Sequence, residues 1–165
     1  MIFRVTQRLA KKIKVIPVAP MPPHDNPLLD WTANLFMVSR WQRILLTNSQ
    51  SLYSVAFPGK GIPNGMVFFE QSMKALRDTM ALDGIVGLFE TIGAAAMHSI
   101  SFCKANDRRV LGSMNELVFQ ARCDLIEFGY SLRMVNQRLN RIPMSRLSYN
   151  YAVEEFAALT KQSKP

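Results

Sequence analysis

A chain of 165 residues is about the length of one domain, and folding at that size buries roughly two-thirds of the surface that the unfolded chain exposes. With 48% hydrophobic and 19% charged residues, it is too apolar for a disordered protein, and no run approaches the ~18 apolar residues of a membrane-spanning helix. Lys and Arg outnumber Asp and Glu by 20 to 12, a formal net charge of +8, which favours acidic partners such as nucleic acid, a nucleotide or an acidic protein.

In chain order, Ile2 to Thr6 reads as a first strand, and Gln7 to Lys14 as a basic turn or short helix with Leu9, Ala10 and Ile13 on its apolar side. Arg4, Arg8, Lys11, Lys12 and Lys14, with no acid before Val18, raise a signal or transit peptide. Ile13 to Pro17 supplies neither the apolar core nor the small-residue cleavage site of a secretory signal, so a cytoplasmic location is expected. Pro20, Pro22, Pro23 and Pro27 then enforce a stiff extended loop. Trp31 to Val38, Arg43 to Thr47 and Leu52 to Phe57 are rich in aromatic, β-branched and aliphatic residues, and their short connections suit hairpins. Neither face of Trp31 to Val38 is uniformly polar, which predicts a sheet covered on both sides.

The second half reads as helical. Met66 to Leu82 carries Phe69, Met73, Leu76 and Met80 at helical spacing and closes at Asp83-Gly84, where glycine suits a left-handed cap. Ile85 to Met97 is a second, apolar helix and Ser99 to Lys104 one more strand. Met114 to Phe128 sets Met114, Leu117, Val118, Ala121, Leu125 and Phe128 on one face, with Gly129 after its end. Ser131 to Leu139 and Tyr151 to Lys161 complete the helical half, with Pro143 between them as a stop. Cys103 and Cys123 fall in different elements and form no metal or redox motif, so both read as reduced, buried small hydrophobes.

Candidate chemistry concentrates in two basic sets. Ser113-Met114-Asn115-Glu116 fits a capping box, and Arg108 and Arg109 just before it could add bidentate contacts to a phosphate at the helix start. Against this, Glu116 would occupy the same donors, so a purely structural cap is favoured there. Alternatively the helix begins at Asp107, with Asp107 as its cap and Ser113 inside it. The second set is Arg133, Arg138, Arg141 and Arg146 with Arg122, where the planar guanidinium suits phosphate, though a solvated face is the commoner meaning of such a run. Arg8, Lys11, Lys12 and Lys14 join this surface if the first strand lies beside the helices. Thr6, Asn34, Thr47 and Asn48 could converge with Ser113 and Asn115 in a polar cleft, but backbone-satisfied polar groups are the favoured reading.

Catalytic signatures are thin. His24 and His98 are the only histidines, which leaves no two-histidine metal motif and little support for a Ser-His-Asp triad, and no phosphate-binding glycine motif is present. His24-Asp25 near Asp30 could form an acid/base pair or weak metal site, although a histidine in a proline loop is ordinarily just exposed. No cofactor and no metal is expected.

The chain resembles an uncharacterised bacterial family known only as a domain of unknown function. The resemblance rests on Phe3-Arg4-Val5-Thr6-Gln7-Arg8-Leu9-Ala10-Lys11-Lys12, Asp30-Trp31-Thr32-Ala33-Asn34-Leu35-Phe36, Leu45-Leu46-Thr47-Asn48 with Leu52-Tyr53-Ser54, and Arg109-Val110-Leu111-Gly112-Ser113-Met114-Asn115-Glu116-Leu117. It spans most of the chain and implies no activity, cofactor or catalytic residue. In the family pattern Arg108 matches the arginine of an Asn-Arg-Ser stretch and Arg109 replaces a small polar residue, which makes Arg108 the better binding candidate.

These readings predict one α+β domain, sheet-rich over 1–62 and helix-rich over 63–165, with an N-terminal antiparallel β-meander packed against a helical C-terminal half. The expected function is a basic binding protein that engages nucleic acid or another polyanion, in a toxin-antitoxin or defence setting. Arg108, Arg109, Ser113 and Asn115 form the expected focus, with Arg133, Arg138 and Arg141 as supporting charge. A small metal-independent enzyme acting on RNA or a nucleotide, and a module that binds an acidic protein, are the alternatives. No membrane partner is expected, and nothing specifies an oligomeric state.

Overall fold

The computed structural model describes residues 1–162 as one five-stranded sheet with helices on both faces. β1 (Ile2–Val5) is followed by α1 (Gln7–Lys12), the proline loop and a 3-10 turn at Pro27–Leu29. β2 (Asp30–Val38), β3 (Trp41–Asn48) and β4 (Ser54–Pro58) form the antiparallel meander. α2 (Gly65–Leu82), α3 (Gly87–Ala96), β5 (Ser101–Lys104), α4 (Arg108–Ile126), α5 (Leu132–Leu139), a 3-10 turn at Ser145–Leu147 and α6 (Ala152–Gln162) complete the order.

The fold is α+β, as the sequence predicts, but the sheet is mixed rather than wholly antiparallel. Its strand order is β4-β3-β2-β1-β5, and β1 runs parallel to both β2 and β5. Parallel neighbours need long crossovers, and here the first is the α1 and proline-loop segment and the second the whole meander with α2 and α3. β1 therefore lies next to the edge of the sheet, flanked by strands from both halves of the chain.

Strand alternation divides the interior into two cores. Phe3, Val5, Trp31, Ala33, Leu35, Ile44, Leu46, Val55 and Phe57 point toward α1, α2, α3 and α6. Within that core Phe3 packs edge-on against Phe68, and Tyr53 stacks on Phe156. Phe36, Val38, Leu45 and Ala56 point the other way, onto Val110, Met114, Leu117, Val118 and Ala121 of α4 and Val135 and Leu139 of α5.

Both sheet edges are covered, which blunts open-edge pairing. At β5, the Val18 N–H donates to the Phe102 carbonyl at 3.0 Å and the Lys104 N–H to the Val18 carbonyl at 3.0 Å. At β4, two amide side chains one helical turn apart do the work of a strand. Asn140 accepts from the Ser54 N–H at 2.7 Å and donates to its carbonyl at 2.9 Å, while Asn136 accepts from the Ala56 N–H at 2.7 Å and donates to its carbonyl at 3.1 Å.

Local signals hold unevenly. Leu9, Ala10 and Ile13 are buried beneath α1, and Gly84 (φ +75°) and Gly129 (φ +63°) take left-handed positions after α2 and α4. Phe128, expected on the buried stripe of α4, is 58% exposed, whereas Asp124 is fully buried. Phe68, rather than Phe69, is the deepest aromatic of α2. Cys103 is buried as expected, Cys123 only half so, and both are free.

Candidate nucleic-acid interface

α4 begins at Arg108 and its cap is Asp107, whose Oδ1 accepts from the N–H groups of Arg109 at 2.8 Å and Val110 at 3.2 Å. The expected capping box at Ser113 is therefore not formed. Ser113 lies buried inside the helix facing the sheet, while Asn115 is exposed and borders an apolar groove with Phe119, Ile142 and Met144. Ser113 and Asn115 thus share no cleft, and the polar strand residues are satisfied without them. Thr6 donates to Asn34 at 3.1 Å, Thr47 pairs with Ser54 at 2.8 Å, and Asn48 donates to the carbonyls of Pro27 and Asp30.

Two arginines at and just beyond the C-terminal end of α5, Arg138 and Arg141, are already engaged. Arg138 Nε is 3.1 Å from Oδ2 of the buried Asp124 and its guanidinium lies over the Tyr130 ring. The Asp124 hydrogen bond and charge raise the Arg138 pKa. Arg141 lies 2.6 Å from Oδ1 of the buried Asp83, whose other oxygen accepts from the Tyr53 hydroxyl at 2.8 Å. Burial, reinforced by Asp83, pushes the Tyr53 hydroxyl far above its usual range. Arg138 and Arg141 are therefore ties between α5 and the body, each neutralising a carboxylate with no exposed surface of its own. Arg133 is exposed and borders a separate groove with Lys74 and Asp78.

A different basic surface forms at the β1/β5 end. Lys11 and Lys14 from α1 and the turn after it, together with Lys104 at the end of β5, line a cavity of about 660 Å3 whose remaining walls include Val5, Ala10, Val15, Ile16 and Pro17. Among the described residues no carboxylate lines it. Arg108 and Arg109 follow Lys104 within five residues and are exposed. None of these five cations makes a side-chain ion pair among the described residues. Lys104 pairs in register with Val5, so the strand pairing itself draws α1 and the entry to α4 to one end of the sheet.

Beside that surface lies a polar cavity of about 420 Å3, lined by Arg4, His24, Asp30, Ser49, Gln50, Asn106, Asp107 and Arg146 with Met21, Pro23 and Pro27. Its floor is a buried ion pair that sequence reasoning did not find. Arg4 Nε and Nη2 reach the two oxygens of Asp30 at 2.7 Å each. The remaining Arg4 donors go to the carbonyls of Met21 and Pro22 at 2.8 Å each and to Cys103 Sγ at 3.8 Å. Asp30 also accepts from the His24 N–H at 2.9 Å and the Ser49 hydroxyl at 2.8 Å. Burial pushes the Asp30 carboxyl up, but the Arg4 hydrogen bonds, the His24 N–H, the Ser49 hydroxyl and the Arg4 charge outweigh it and hold the group below its ordinary value. Arg4 is held high, first by its hydrogen bond to Asp30. An arginine within Ile2-Phe3-Arg4-Val5 was the available signal, because a charge inside a buried strand requires a partner.

Above this floor, Arg146 donates to the Ser49 carbonyl at 3.2 Å and stands 3.9 Å from Asp107 Oδ2. His24 Nδ1 accepts from the Asn26 N–H at 3.0 Å, so the proton of the neutral ring resides on Nε2. The described residues contain no group of three or more His, Cys, Asp or Glu that could hold a metal ion, and no helix long and apolar enough to cross a membrane.

The molecule is thus an α+β body with a lysine-lined cavity formed in part by Lys104 and Ala105 and a polar cavity formed in part by Asn106 and Asp107. The chain belongs to the family described as a domain of unknown function (DUF6933), whose profile matches residues 2–155. No curated protein matches the chain.

Proposed function

We propose that the protein binds nucleic acid through the β1/β5 end of the sheet, with Lys11, Lys14 and Lys104 as phosphate contacts and Arg108 and Arg109 extending the track. The observation that carries this reading is the lysine-lined cavity without a carboxylate. Three flexible ammonium groups neutralise a backbone of repeated charges without demanding one geometry. The apolar walls contributed by Val15, Ile16 and Pro17, with Ile16 97% exposed, offer surface for unstacked bases. Arg138 and Arg141 are left out of the track, because their charge is spent on Asp124 and Asp83.

The experiment is equilibrium binding of a short labelled single-stranded oligonucleotide across a salt series. If all five cations contact phosphates, log K should fall against log salt with a slope of about −3 to −4, and replacing the three lysines by glutamine should flatten it by about 2. Affinity that is indifferent to salt, or unchanged in the triple variant, contradicts the reading.

A second reading, an enzyme acting on RNA, draws on one observation, that His24 shares a cavity with Asp107 and Arg146. It requires cleavage products from purified protein that disappear in His24→Ala while oligonucleotide binding persists.

A further inference from the structure

We propose that the cavity between the proline loop and the start of α4 is a nucleobase pocket, read by Asp107 and Arg146, and that guanine is the base it fits. The proposal rests on the nucleic-acid reading above and names which part of the strand is recognised.

The floor of the cavity takes no part in hydrogen bonding to a ligand. All five N–H groups of Arg4 and both oxygens of Asp30 are already committed within the fold. Recognition therefore falls to the rim. At 3.9 Å the Arg146 and Asp107 groups are too far apart for a hydrogen bond. Asp107 spends Oδ1 on the helix cap, which leaves Oδ2 open, and Arg146 spends one donor on Ser49, which leaves most of its fork open. Their side chains are 47% and 27% exposed, accessible to a ligand yet held at one end.

One open carboxylate oxygen, Asp107 Oδ2, beside the open part of the Arg146 fork selects a base with donors that converge on a single acceptor next to two neighbouring acceptors. Guanine meets this with N1–H and N2–H on one side and O6 and N7 on the other. Adenine places its N1 acceptor where the carboxylate would stand, and uracil offers only one N–H donor, so each leaves a polar group unpaired. The walls suit a flat ring: the His24 imidazole can stack, and Met21, Pro23 and Pro27 present apolar surface. About 420 Å3 falls within the range of small-molecule pockets. Continuity with the phosphate track is covalent, since Lys104 and Ala105 line the lysine cavity and Asn106 and Asp107 line this one.

Labelled oligouridines carrying one central guanosine, adenosine or inosine provide the test, alongside the unsubstituted oligouridine. The guanosine oligonucleotide should bind about tenfold tighter than oligouridine, with inosine, which lacks the N2 amino group, in between. Asp107→Asn retains a good helix cap and should abolish the guanosine preference while oligouridine binding stays the same or strengthens. Arg146→Ala should abolish the preference as well. Equal affinity for guanosine and uridine oligonucleotides in the wild type, or a preference that survives both substitutions, overturns the pocket and leaves the phosphate track standing. Loss of all oligonucleotide binding in the wild type overturns both.

Discussion

Every N–H of the Arg4 guanidinium is used inside the fold, and its partners come from β2, the proline loop and β5. Arg4 therefore adds side-chain ties between the proline loop and strands that the sheet already pairs with β1. Removing one partner strands a buried charge, so Asp30→Asn should cost about 3–5 kcal/mol in urea unfolding, whereas Arg4→Met with Asp30→Leu should cost less than either single change. A double variant as unstable as the single ones would contradict this. The pH dependence follows from the lowered Asp30 pKa. Its contribution is complete above the unfolded carboxyl value of about 3.9 and is lost as pH falls through the lower folded value, because the unfolded chain then binds more protons. Unfolding free energy should accordingly drop more steeply below about pH 4 in the wild type than in the double variant. The sequence carried half of this pair: an arginine in a four-residue apolar strand announces a partner, but Asp30 is 26 residues away, and no local pattern names it.

At the scale of elements, α5 is a small helix with an outsized task. Asn136 and Asn140 satisfy β4 on its free edge, and Arg138 and Arg141 tie the helix to Asp124 and Asp83. Asn140→Ala leaves the Ser54 N–H and carbonyl without those partners and should cost about 2 kcal/mol, with amide exchange accelerating at Ser54 before it does in β2. Unchanged protection at Ser54 would show that the edge does not depend on α5. Spacing placed this helix correctly over Leu132–Leu139 because its ends carry clear signals, Ser131 before and Pro143 beyond. The meaning of its arginines was not legible, since no local pattern says that Asp124 of α4 is buried where Arg138 can reach it. The start of α4 shows the same limit: Asp107 and Ser113 both satisfy cap chemistry, and the choice between them is made by Val110, which packs into the core under the first turn.

For the molecule as a whole, the formal excess of positive charge was legible and its arrangement was not. Clustering depends on β5 pairing in parallel with β1 at a sequence separation of about a hundred residues, which brings Lys104 beside α1. Among the described basic groups, Arg4, Lys74, Arg138, Arg141 and Arg146 stand near carboxylates, whereas Lys11, Lys14, Lys104, Arg108 and Arg109 gather near the end of β5 with no side-chain ion pair. The second group carries the proposed function. The decisive measurement is the salt dependence of oligonucleotide binding for the wild type against Lys11→Gln/Lys14→Gln/Lys104→Gln, with Arg133→Gln as a surface control. A steep wild-type slope that falls by about 2 in the triple variant and is retained in the control is the predicted result. Equal slopes in all three proteins would place any binding elsewhere and contradict the account.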